Sequence, residues 1–148
     1  MNMSGILVGI DGSEHSRRAL EWAIGEAAIR KAPLTVLTVN QAVAGYLGNA
    51  VPYPGDDTYA EAVRKVAQEE TEEVLGKVEA GSRPSKVEML VVTGLPAEEI
   101  LKAATDADMI VVGTRGAGGF RKLLVGSVTS QVTHHAHCPV VIIPDVTS

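Results

Sequence analysis

The chain has little of what several kinds of function require. Its 148 residues include one cysteine, Cys138. No disulfide can form within such a chain, and that usage fits a reducing compartment. Aromatic residues make up 3%, which argues against a stacking platform for single-stranded nucleic acid. Lysine and arginine number 13 against 18 acidic residues, for a net charge of -5. The broad basic footprint of a nucleic-acid binder is therefore missing. No apolar run approaches the ~20 residues of a membrane span. The opening MNMSGILVGIDGS has no basic leader and reads as a first strand, not a signal peptide. The expectation is a cytoplasmic protein with neither nucleic acid nor membrane as partner.

What is present is an ordinary globular composition, 45% apolar and 21% charged, long enough for a single domain spanning 1–148 with its own core. Short apolar runs alternate with helical patterns. ILVGI (Ile6 to Ile10) stops at Asp11-Gly12-Ser13, where turn residues meet a helix cap. Ala19, Leu20, Ala23, Ile24, Ala27 and Ala28 then form a stripe at helical spacing. LTVLTV (Leu34 to Val39) is a second strand. Gln41 to Thr58 is a long irregular stretch rich in glycine and proline. A charged helix is expected from about Tyr59 to Ala80, with Val63, Val66, Ala67, Val74, Leu75 and Val78 inward and Glu69, Glu70, Glu72 and Glu73 on a solvated face. VEMLVV (Val87 to Val92), a short helix led by Pro96, MIVVG (Met109 to Gly113), a helix over Ser127 to Ala136 and PVVIIP (Pro139 to Pro144) complete the order.

Strands written as unbroken apolar runs belong to a parallel sheet covered on both faces. Right-handed crossovers with one reversal of winding give a doubly wound, Rossmann-like α/β fold. Such sheets bind ligands beyond the carboxyl ends of their strands, at the switch point. The loops after Ile10, Val39, Val92 and Val112 are thus the places to search.

One of them is GTRGAGGFRKLLVGS, Gly113 to Ser127, with five glycines, three basic residues and no acid. It matches neither the P-loop nor the dinucleotide fingerprint. Its spacing is Gly113-x2-Gly116-x9-Gly126-Ser127. Glycines such as Gly113, Gly116 and Gly118 let backbone amides approach an oxyanion or take positive φ. Gly126-Ser127 opens a helix whose N-terminus favours negative charge, and Arg115, Arg121 and Lys122 add positive charge. The pattern suits a polyphosphate, and equally a surface loop with a capping serine.

The chain resembles the universal stress protein family along nearly its whole length. The matching pieces are VGIDGSEHSRRALEWA, LTVLTV, GLPAEEIL, ADMIVVGTRGAGG and VGSVTSQVTHHAHCPVVIIP. The G-x2-G-x9-G-S pattern marks the ATP-binding branch of that family. The resemblance implies strand order 3-2-1-4-5, a fold like that of the adenine nucleotide alpha hydrolases, and ATP as ligand. It further implies that Asp11 lies beside the adenosine, that Val39 offers backbone groups to adenine, and that Gly9, Ile10 and Val112 line the floor. Gly113, Arg115, Gly116, Gly118, Gly126, Ser127, Val128 and Thr129 would surround ribose and phosphates, with Mg²⁺ reached from Asp11 through water. The last strand, Val140, Val141, Ile142 and Ile143, would pair with its counterpart in a homodimer. The implied activity is that of a nucleotide sensor in stress response, at most a slow ATPase, since no P-loop lysine is present. The alternative is a dimeric interaction protein with a vestigial site.

Other candidates have plainer readings. HHAHC (His134 to Cys138) has the look of a metal set, yet Pro139 starts a strand next door, so the helix should end before Cys138. Ser13, His15 and Asp11 are neighbours in one turn and suit a helix start better than a catalytic triad. Trp22 and Cys138 read as packing residues.

Overall fold

The computed structural model describes residues 5–144 except 42, 45–49, 52–55 and 115–126, with backbone only over the remainder of 41–59. The elements run β1 (Ile6–Ile10), α1 (Glu14–Arg30), β2 (Pro33–Gln41), β3 (Val43–Ala44), β4 (Ala50–Val51), α2 (Asp56–Gly76), a 3-10 turn (Ala80–Ser82), β5 (Lys86–Gly94), α3 (Pro96–Ala103), β6 (Met109–Gly113), α4 (Ser127–His135) and β7 (Val140–Ile143).

Five strands form one sheet in the order β5-β2-β1-β6-β7, and every pairing in it is parallel. Counted over these five strands alone, this is the expected order 3-2-1-4-5. β1 lies at the centre, with Ile10 opposite Thr38 on one side and Val8 opposite Val111 on the other. The reversal of winding falls between β1 and β6. The helices that follow β1 and β6 therefore lie on opposite faces of the sheet, and a crevice opens beyond the two carboxyl ends.

Each face of the sheet has its own core. On one, Ile6, Val8, Ile10, Val36 and Val111 meet Leu20, Ala23 and Ile24 of α1 and Ala67 and Val74 of α2. On the other, Leu7, Leu37, Ile110 and Val112 meet Ala97 and Ile100 of α3 and Val132 of α4. The central strands carry apolar residues at successive positions because both of their faces are covered.

Two elements differ from the sequence expectation. The second long helix spans Asp56–Gly76 rather than Tyr59 to Ala80. At Gly76 the hydrogen bonds shorten to three residues, with the Lys77 N–H donating to Val74 O and the Val78 N–H to Leu75 O, so the helix closes there. Within the expected irregular stretch, Val43–Ala44 pairs antiparallel with Ala50–Val51.

Candidate functional site

The β1–α1 turn is held by a short chain of hydrogen bonds. The Asp11 Oδ1 accepts from the Ser13 N–H at 3.0 Å, and the Ser13 Oγ caps α1 by accepting from the Ser16 N–H at 3.2 Å. The Ser16 hydroxyl donates to Ser13 O and accepts from the Asp11 N–H, both at 3.1 Å. Gly12, at φ 85, supplies the left-handed residue that the turn needs. Ser13 is thus occupied as a cap, and the Asp11 carboxylate is fixed in an exposed position at the carboxyl end of β1.

The end of β6 presses against this turn. A Cβ placed on Gly113 would lie 2.8 Å from His15 O and 3.2 Å from His15 Cβ. Close backbone approach explains the glycine. Gly12 is the only glycine with positive φ among the described residues, so the expected alternative reason does not apply at Gly113. The Thr129 hydroxyl, nearly inaccessible to solvent, donates to Gly113 O at 2.8 Å. This bond ties the first turn of α4 to the end of β6. Ser127 is the first residue of α4 rather than its cap, and it is exposed. The first N–H groups of a helix lack internal partners and favour an anion. Arg115, Gly116, Gly118 and Gly126 lie outside the described residues.

The floor residues divide. Ile10 faces α1 and α2. Gly9 instead makes room on the opposite face: an added Cβ would stand 3.4 Å from Ile100 Cδ1 and 3.9 Å from Val112 Cγ1. Gly9 and Val112 therefore pack beneath α3, and so does the half-buried Val39.

Beside Asp11 a cavity of about 260 Å³ opens between the ends of β1 and β2 and the inner face of α2, lined by Ile10, Asp11, Thr38, Val63, Val66 and Glu70 among others. α2 is joined to α1 by an ion pair, Arg17 Nη2 to Glu73 Oε1 at 2.7 Å. Two expectations about α2 are corrected here. Val66 is 57% exposed rather than inward, because it stands at the rim of this cavity. Glu70 is not on the solvated face. It shares the inner stripe with Val63, Ala67 and Val74, it is half-buried, and its Oε1 is buried without a hydrogen bond to any described residue. Burial pushes the Glu70 carboxyl above its ordinary range, against the opposing pull of Arg17. The helical phase of the stripe was the available signal for Glu70, since residues seven apart share a face.

α4 ends at His135, before Cys138. Cys138 is half-buried against the α3–α4 core, and burial raises its thiol pKa. Among the described residues no group of three or more His, Cys, Asp or Glu is placed to hold a metal ion. No described helix is long and apolar enough to cross a membrane. Trp22 is 37% exposed at the edge of α1. Val140, Val141, Ile142 and Ile143 are all half-buried, and β7 is an edge of the sheet among the described residues.

A doubly wound sheet with a crevice between β1 and β6, and a helix N-terminus tied to its rim, defines a protein of the Rossmann-like α/β class. The model of the universal stress protein family matches residues 3–144, and the chain belongs to that family. It is 36% identical over 140 residues to a universal stress protein of Thermus aquaticus, covering 93% of this chain and 96% of that one. It is 34% identical over 142 residues to Universal stress protein Rv2623 of Mycobacterium tuberculosis, covering 95% of this chain. The chain spans about half the length, 48%, of that mycobacterial relative. Among solved structures, UspA from Lactobacillus plantarum aligns with a TM-score of 0.72 at 26% identity, over 97% of this chain and 99% of that one. A universal stress protein solved in complex with cAMP aligns with a TM-score of 0.66 at 25% identity, over 97% and 98%.

Proposed function

We propose that this chain binds an adenine nucleotide, ATP first among them, and acts as a nucleotide-responsive protein of the stress response in the cytoplasm. One observation carries the reading. The Thr129–Gly113 bond brings the open end of α4 to the carboxyl end of β6, directly across from the Asp11 turn. Phosphates would take the N–H groups at Ser127, Val128 and Thr129, with Gly116 and Gly126 of the glycine pattern completing the cradle. The adenosine would lie toward Asp11 and the backbone of Val39. Mg²⁺ would arrive with the phosphates and meet the exposed Asp11 carboxylate through water. The neighbour solved with cAMP supports an adenine nucleotide as the ligand class.

Hydrolysis is slow at most in this reading, because the chain has no P-loop lysine to draw charge off a leaving phosphate. The half-buried β7 edge supports a homodimer in which two copies pair through Val140–Ile143. The test is direct. The purified protein is denatured, the supernatant is analysed by mass spectrometry, and ATP is titrated into stripped protein by calorimetry. Near-stoichiometric ATP or ADP is expected. A flavin in the supernatant, or no heat on titration with ATP, would refute the reading. The second result would favour an interaction protein with a vestigial site.

A further inference from the structure

We propose that Glu70 selects the base: its carboxylate accepts a hydrogen bond from the exocyclic amino group of adenine and disfavours a purine carrying oxygen at that place. This rests on the nucleotide reading above and adds the group that would tell one purine from another. Three observations carry it. First, Glu70 occupies an inner position on α2, in line with Val63, Ala67 and Val74, where an apolar residue would otherwise stand. Second, its Oε1 is buried without a hydrogen bond to any described residue. The nearby Arg17 bonds instead to Glu73 at 2.7 Å and approaches Glu21 at 3.7 Å. Burial withdraws the carboxyl from water, and where Glu70 lines the cavity a ligand donor can stand in for that water. Third, Glu70 lines a cavity whose walls also include the aliphatic Ile10, Val63 and Val66 and the polar Asp11 and Thr38. A space of about 260 Å³ is smaller than the ~300 Å³ at which pockets for whole drug-sized ligands begin, and it suits a ring system rather than a complete nucleotide.

The chemistry then decides which ring. An ionised carboxylate only accepts hydrogen bonds. Adenine offers an amino donor at its 6-position, whereas hypoxanthine and guanine offer an oxygen acceptor there. Acceptor against acceptor in a half-buried place is repulsive, and sites built around one donor reject the analogue that lacks it. Asp11, the other carboxylate of the cavity, already holds the Ser13 N–H through Oδ1.

The experiment titrates ATP and ITP into the full chain and into Glu70→Gln. The variant keeps the shape of the side chain and adds an N–H that can serve the hypoxanthine oxygen. The unmodified chain should bind ATP about tenfold or more tightly than ITP, the scale of one hydrogen bond to a charged group. In Glu70→Gln the gap should fall to about threefold or less, chiefly through tighter ITP binding. A gap unchanged in the variant, or no gap in the unmodified chain, would overturn the assignment while leaving the nucleotide reading intact. Loss of both nucleotides from a variant that still unfolds cooperatively would also overturn it, making Glu70 a general support. If the unmodified chain binds neither, the nucleotide reading fails and the selector falls with it.

Discussion

Ser127→Asp should strengthen the fold and weaken nucleotide binding at once. Ser127 is exposed and is the first of the nine residues of α4. A carboxylate there faces the N–H groups of the first turn, which have no partners within the helix, and should stabilise the protein by about 0.3–1 kcal/mol. A bound phosphate would meet the same carboxylate. Coulomb's law at an effective dielectric of about 20 gives roughly 3 kcal/mol of repulsion between unit charges about 5 Å apart. That is on the order of a hundredfold in Kd. Salt should soften the loss, since the Debye length is about 8 Å at physiological ionic strength. The assays are urea denaturation for stability and calorimetry with ATP at low and high salt. Adenosine serves as a ligand without phosphates, and Ser127→Asn as a variant of the same size without charge. Weaker ATP binding, unchanged adenosine binding and a raised unfolding midpoint are expected together. A stabilised Ser127→Asp that binds ATP as the unmodified chain does would refute the placement of phosphate at α4.

Three further outcomes follow from other parts of the structure. Gly113→Ala should lose about 1–3 kcal/mol in urea denaturation, because its Cβ would press on His15 O at 2.8 Å and on the His15 carbonyl carbon at 3.0 Å, backbone atoms that cannot swing aside; an unchanged midpoint would contradict that contact. Glu70→Gln should be more stable than the unmodified chain at neutral pH. Burial raises the folded-state pKa of Glu70 above its ordinary 4.5, so the ionised form opposes folding. The gain is full above the folded pKa and should fade as pH drops through that value toward 4.5, which paired denaturation curves across the acid range would check. Finally, sedimentation at micromolar concentration should give a dimer, and a monomer would remove the β7 pairing.

The main sheet is legible in the sequence because a strand buried on both faces must be apolar at successive positions. ILVGI and MIVVG are written that way, and they are the two strands that flank the crevice. The cap is legible for a different reason. Asp11-Gly12-Ser13 combines a left-handed glycine with two acceptor side chains, and the structure uses all three: Asp11 takes the Ser13 N–H of the turn and Ser13 takes the Ser16 N–H of the helix. What the sequence hides depends on how distant segments meet. Nothing local reports that Gly113 lies against the backbone of His15, nor that the Thr129 hydroxyl reaches back to Gly113 O, since those contacts arise from the packing of α1 and α4 around one crevice. The end of α2 at Gly76 is likewise obscure, because the apolar pattern continues through Val78 beyond the point where the hydrogen bonds change register.

Glu70 lies between these cases. Among Glu69, Glu70, Glu72 and Glu73, composition suggests one solvated face, yet four acids within five helical residues cannot all point the same way. At about 100° per residue, Glu69 and Glu72 turn outward while Glu70 falls in phase with Val63, Ala67 and Val74. A carboxylate in an apolar stripe carries a desolvation cost that a solvated one does not. Glutamine or an aliphatic residue at this place would avoid that cost. Keeping an acid whose burial opposes folding makes physical sense where a ligand donor in the cavity replaces the water that burial removes. The stability gain and the change in base preference expected of Glu70→Gln are therefore two readings of the same half-buried carboxylate. A variant that became more stable without altering the ATP-to-ITP ratio would separate them and leave the acid without a ligand to explain it.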